Sequence, residues 1–398
     1  MKQKLQKNIG LDYIATFITN LNMQSSIWVL YLAYCGMNLA QIGLLEGVYH
    51  ATSIICEIPS GAFADLLGRK RSMVLSRLCI AISCVIMLFA GNFWLFALSF
   101  IIQALGNNLN SGSEEALIYD SMKVIGREEE YMGVYGRLNV IIEVAQGIAT
   151  VAGGVLAEYS YFWCYAACLL IAVLAVLPVL LMTEAPVTDD MAERLPVGTL
   201  IEEHFKKSGK ILKSDSRILK NIVFYSVVFA AETLLFFYSQ QYYAELGYNK
   251  IGISMILLVV GAASCLGAFL SEKIYARFGK KTSFAAAAVI GAALVCYGFH
   301  NVAVSVVTFA AAGFCNALLY PIQSDSLNDL IPSEQRATLI SVDSMFFSIA
   351  MILVFPAAGA AADVFGLTGV LVGIGAGLWL FVGTWLILKS KNEKRLIK

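Results

Sequence analysis

The chain has 398 residues, 59% of them hydrophobic and only 14% charged. A soluble globule carries about 25% charged residues, so this composition excludes one and implies an all-α membrane protein. The 28 basic residues balance the 28 acidic ones, and no net charge draws the chain to nucleic acid.

A helical span needs about 20 apolar residues. Twelve are predicted, at roughly 9–34, 40–67, 72–91, 94–122, 131–157, 161–183, 219–246, 250–278, 282–300, 302–330, 336–361 and 367–390. Span one is too long for a cleaved signal peptide and carries Asn20, Asn22 and Gln24 where an apolar core would stand. Thr16, Asn20 and Gln24 give it hydrogen-bonding groups. Span two ends in Glu57, Gly61 and Asp65 at i, i+4 and i+8, and Gly61 is expected to permit close helix contact. In span four, Gln103, Asn107, Asn110 and Glu114 recur at spacings of 4, 3 and 4 and share one face, with Glu115 about 100° away. Glu143 sits mid-span in five, where it could carry a proton or bridge helices.

A polar segment, roughly 184–218, separates the first six spans (1–183) from the last six (219–398). Leu200, Ile201, Phe205 and Leu212 fall near one face of a helix there, with lysines around the rest, so it reads as a surface helix or a solvated tether. Span seven places Tyr225, Phe229, Glu232, Phe236 and Tyr243 along one stripe. One acid among aromatic rings suits an amphipathic or cationic molecule; the bland alternative is packing around a neutral acid. Span ten adds Asn316, Tyr320 and Gln323, with Asp325 and Asp329 near its end. Gly369, Gly373 and Gly377 in span twelve read as helix-packing positions.

Every Lys and Arg except Lys250 falls in the tails, the central segment or every second connection. Positive charge stays on the cytoplasmic side, so the pattern predicts a multi-pass protein of the cell membrane with both termini cytoplasmic. The halves are related. At an offset of 211, Gly36, Asn38, Ile42 and Gly68 meet Gly247, Asn249, Ile253 and Gly279; at 205, Glu158 meets Asp363. Two pseudo-symmetric six-helix bundles are the build of a secondary transporter. The nine cysteines lack CxxC spacing, and His50, His204 and His300 are scattered, so neither disulfide nor metal is expected. No P-loop or H-E-x-x-H motif occurs, and neither an enzyme nor a cofactor is indicated.

Between spans two and three the chain reads Gly61-Ala-Phe-Ala-Asp65-Leu-Leu-Gly68-Arg69-Lys70-Arg71. This resembles the signature loop of the major facilitator superfamily, G-x-x-x-D-x-x-G-R-[KR]-[KR]. The resemblance implies that Asp65 helps to lock one conformation against an Arg and the start of span eleven, near Arg336 to Ser341, with Glu57 belonging to the same latch. The second copy is degraded, because Ala276 replaces the acid while Gly279, Lys280 and Lys281 remain. The resemblance further implies that spans one, four, seven and ten line a central cavity. Gly136, Gly153 and Gly154 partly match the span-five pattern of exporters, with Ala149-Thr150 where Gly-Pro is usual. The expected function is proton-coupled export of small, partly hydrophobic molecules by a monomer, as in drug-efflux members. A symporter importing a sugar-like nutrient is the alternative, and a non-transporting sensor a third.

Overall fold

The computed structural model describes residues 1–186, 197–330 and 336–396. Among these, the chain forms fifteen α-helices, short 3-10 turns and no strand. In order they are α1 (Lys2–Asn20), α2 (Trp28–Tyr34), α3 (Leu39–Leu67), α4 (Arg69–Phe89) and α5 (Phe93–Asn110). Then come α6 (Ser113–Ile125), α7 (Tyr131–Tyr159), α8 (Tyr161–Leu181), α9 (Val197–Ser214) and α10 (Ser216–Glu245). The last are α11 (Lys250–Phe278), α12 (Lys281–Cys296), α13 (Val302–Asn328), α14 (Arg336–Phe365) and α15 (Leu367–Leu396).

Nine helices among the described residues are long and apolar enough to cross a membrane. The three other expected spans are helical but polar or broken. Span one stops at Asn20, passes through a 3-10 turn at Met23–Ser26 and resumes as α2. Asn20 Nδ2 bonds the Thr16 carbonyl, and the Ser25 and Ser26 hydroxyls bond the Asn22 and Met23 carbonyls, which satisfies backbone groups at this break. Span four breaks at Ser111-Gly112, where Gly112 takes φ +72°, a conformation that glycine adopts at little cost. The expected single stripe of span four is therefore two helices, α5 and α6. Span two is one unbroken helix, α3, that carries Glu46, Glu57 and Asp65.

Two compact units form. One comprises Met1–Met37, Leu44–Lys206 and Asn249–Ser254; the other comprises Asn38–Gly43, Lys207–Tyr248 and Met255–Lys398. In the first, α4 lies against α5 and α8, and α1 against α7. In the second, α12 lies against α13 and α15, and α10 against α14. These are the same neighbours shifted by one six-helix repeat. The match persists at single hydrogen bonds. Gly36 and Gly247 both take φ +85°, and the next amides, Met37 and Tyr248, each bond at 3.0 Å to the carbonyl five residues back. Asn38 Oδ1 accepts from Gln41 N at 2.9 Å, and Asn249 Oδ1 from Gly252 N at 2.8 Å, so both following helices have the same side-chain cap.

Small residues set the tightest approaches. A Cβ at Gly106 would lie 3.1 Å from Cys79 Cβ and from the Ser76 carbonyl, which seats α5 on α4. In span twelve the glycines expected to pack, Gly369, Gly373 and Gly377, would meet nothing within 4 Å. Gly375 is the packing residue instead, since its Cβ would fall 2.6 Å from the Gly291 carbonyl of α12. The helix of the central segment also departs from expectation. Ile211 of α9 is buried with Ile218, Ile222, Leu327, Leu339 and Val342, while Phe205 is exposed.

Candidate functional site

In the first unit the polar residues converge on Glu114, at the start of α6. Asn110 Nδ2 donates to its Oε2 at 2.6 Å, Thr16 Oγ1 donates to Oε1 at 3.0 Å, and Arg77 Nη2 lies 3.3 Å from Oε2. Asp12, fully buried on α1 one turn before Thr16, interacts electrostatically with the same carboxyl and with Arg77. Neither Asp12 oxygen receives a hydrogen bond from a protein donor. Two facing carboxyls can bond only through a shared proton. With both ionised, the Asp12–Glu114–Arg77 group carries one net negative charge; one proton brings it to zero.

Arg77 and Asp12 were not among the expected site residues. The basic pattern places Arg77 with the loop charges, yet its side chain is only 4% exposed and reaches Glu114 from α4. It stands eight residues beyond Arg69, two helical turns inside the bundle, and that spacing was the available signal. Asp12 could have been found as the lone acid of span one.

The other expected residues of this unit lie outside the cluster. Asn107 Nδ2 donates to Tyr49 Oη at 2.7 Å, and Gln103 lies two turns before Asn110 on α5. Asn20 bonds to the Thr16 carbonyl at 2.8 Å and accepts from Gln146 at 3.2 Å. Gln24 is buried in the 3-10 turn. Glu143 lies mid-helix in α7, as expected, and it and Glu115 are both exposed.

The second unit holds a separate group. Glu232 is 6% exposed on α10, within electrostatic reach of Tyr320 on α13. Tyr320 stacks on Phe229, with centroids 4.2 Å apart and planes 16° apart, one helical turn after Asn316. Asn316 Oδ1 is buried without a hydrogen-bond partner. Tyr225 bonds Ser283 at 2.8 Å. Gln323 donates to Asp343 Oδ1 at 2.7 Å, an acid on α14 that the sequence reading passed over. Phe236 meets Phe309 edge-on. Tyr243 departs from the stripe into a buried knot with Tyr242, Tyr297 and Ser305.

The signature loop is held by acids other than Asp65. Glu184 accepts from the Arg69 and Lys70 amides at 2.9 and 3.0 Å, which caps α4 just after Gly68 at φ +99°. Arg69 pairs with Asp120 and donates to the Ala116 carbonyl at 2.8 Å, and Lys70 donates to the Leu180 carbonyl. Asp65, Gly61 and Arg71 are exposed, and Glu57 is half-buried. A Cβ at Gly61 would meet nothing within 4 Å, so the close contact expected there is not made. The Arg336 side chain, implied as part of the latch, lies outside the described residues.

A multi-pass helical protein, built twice over from one six-helix pattern with charged groups buried inside, is a membrane transporter in class. The profile of the Major Facilitator Superfamily matches residues 13–282 and 223–398, and the chain belongs to that superfamily. It is 23% identical over 353 residues to the MFS-type transporter YxaM of Bacillus subtilis, covering 87% of each chain. It is 24% identical over 382 residues to an MFS-type transporter of Methanocaldococcus jannaschii, covering 92% of this chain and 93% of that one. Among solved structures, a point variant of the nucleoside transporter NupG superposes with TM-score 0.82 at 12% identity, over 96% of this chain and 99% of that one. A D-xylose-proton symporter superposes with TM-score 0.70 at 14% identity, over 96% of each chain. At these identities the structures share the fold alone.

Proposed function

We propose that this transporter is a proton-coupled exporter of small amphipathic molecules, working by alternating access in the cell membrane as a monomer, with both termini cytoplasmic. The observation that carries the coupling is the Asp12–Glu114 pair with Arg77 beside it. Buried ionisable groups in a membrane protein are costly and mark ion pathways. Here one proton changes the group from net negative to neutral. That is the electrostatic change a coupled carrier needs between its loaded and empty return steps. Export of amphipathic cations is supported by the second unit, where Glu232 lies beside the stacked Phe229–Tyr320 pair and Asn316 has an unused acceptor. Rings and one acid together attract a flat cation. No enzyme activity is proposed. The latch role of Asp65, Gly68 and Arg69 to Arg71 remains part of this reading.

Uptake of a hydroxylated nutrient is the second reading. It is favoured by the amides of Asn20 and Gln146, bonded to each other at 3.2 Å and with donors to spare. Purified protein in liposomes under an imposed pH gradient separates the two. The exporter reading expects gradient-driven movement of ethidium, lost in Glu114→Gln at equal incorporation. Proton movement driven by xylose but not by ethidium would replace it with the nutrient reading.

A further inference from the structure

The second unit contains a cavity of about 490 Å³ whose lining includes Tyr225 and Ser283 but none of Glu232, Phe229, Asn316 and Tyr320. It lies among the first turns of α10 and α12 and the last turns of α11, α13 and α15. Three cations line it, Arg217, Lys220 and Lys280, against one acid, Asp329. Arg217 is committed to Asp215, with its Nε and Nη2 at 2.7 and 2.6 Å from Oδ2. Lys220 and Lys280 are exposed, line the cavity and form no ion pair among the described residues. Their charge is available for an anion.

The interior is of a different character. Phe224 contacts Phe284 and Trp385, at centroid distances of 5.2 and 5.6 Å, and the three rings form a wall. That wall continues to Leu388 at the rim. Beside it Leu386, Ile387 and Leu388 are 44%, 59% and 55% exposed, the lipid-facing surface of a transmembrane helix. A small soluble anion would use the lysines and leave the aromatic wall unpaired. An apolar drug would use the wall and leave the lysines unpaired. Asn221 at the cavity has a buried Oδ1 without a donor, which a headgroup hydroxyl would supply.

We propose that this cavity is a site for one anionic glycerophospholipid of the leaflet at the basic end of the bundle. The phosphate lies between Lys220 and Lys280, a glycerol hydroxyl donates to Asn221, and an acyl chain runs along Phe224 and Trp385 onto the outer face of α15. Basic pockets between transmembrane helices hold anionic headgroups, with aromatic rings at the interface. The site is separate from the Asp12–Glu114 group, so it stands or falls independently of proton coupling.

Native mass spectrometry of the full chain in detergent, titrated with phosphatidylglycerol, phosphatidylcholine or inorganic phosphate, tests the assignment. Phosphatidylglycerol is expected to fill one tight site that phosphatidylcholine does not. Each of Lys220→Gln and Lys280→Gln should weaken it about fivefold, and the double variant roughly 25-fold. Lys273→Gln, at the same end of α11 but outside the cavity, should leave it unchanged. Equal weakening by Lys273→Gln would show general surface attraction and overturn the site. So would equal binding of phosphatidylcholine, or inorganic phosphate binding as tightly as the lipid. The single-lysine variants decide the matter if the double variant does not fold.

Discussion

At the residue scale, Arg77 decides the chemistry of the first unit. Removing one member of a buried ion pair leaves a charge uncompensated, at a cost of about 3 kcal/mol or more. Arg77→Gln should therefore lower the thermal unfolding midpoint clearly, and adding Glu114→Gln should recover much of the loss. An additive double-variant cycle, read by unfolding of purified protein, would show that the two do not interact. Asp12→Asn separates coupling from packing. It keeps the shape of the side chain but cannot share a proton, so it should fold normally while ethidium transport loses its dependence on the pH gradient. The i, i+4 periodicity exposed Asn110 and Glu114 to a sequence reading, because both lie where α5 meets α6. Arg77 and Asp343 escaped it because each follows a loop rich in charge. For Arg77, only its eight-residue distance from Arg69 separates a cation two turns into the helix from one in the loop.

At the element scale, the breaks in spans one and four show the limit of hydropathy. It registers apolar length, and both spans are long enough. A tight turn costs little hydropathy when polar neighbours or a glycine can satisfy the backbone. The Ser111-Gly112 step was legible as a turn signal, while the Leu21–Ile27 break depends on bonds from Asn20, Ser25 and Ser26 to nearby carbonyls. The glycines of α15 carry the same lesson. A four-residue repeat marks one helix face, but which face meets a neighbour is set by the rest of the bundle. Gly375→Ala should cost about 1–3 kcal/mol, because its methyl would press on the Gly291 backbone and neither backbone can yield. Gly373→Ala should be neutral or slightly stabilising, since it gains helix propensity in open space. Comparing the thermal midpoints of the two variants checks the assignment; equal loss in both would restore the sequence-based face.

At the scale of the whole molecule, orientation rests on charge and on what the one exceptional lysine does. Lys250 stands at the start of α11, at the opposite end of that helix from Lys273 and Arg277. Its Nζ lies 4.9 Å from the centre of the Tyr161 ring and 3.9 Å from Glu158, whose carboxylate also accepts from the Lys250 amide at 2.8 Å. Asp363 does the corresponding work for the other half, accepting from the Leu39 and Ala40 amides at 3.0 and 2.9 Å. Acids at helix N-termini satisfy unpaired amides and oppose the helix dipole. Lys250 is thus neutralised locally and adds little to the positive charge that retains a loop in the cytoplasm. In the sequence, every other Lys and Arg falls in the tails, the central segment or the alternate connections. A reporter fused after Leu246 should therefore read external, and one fused near Ser208 cytoplasmic. Lys250→Gln should leave both readings unchanged, because its charge is already paired. If the Leu246 fusion reads cytoplasmic, or if Lys250→Gln alters it, the orientation depends on something other than the basic residues, and the inner-leaflet side of the lipid cavity would be reassigned with it.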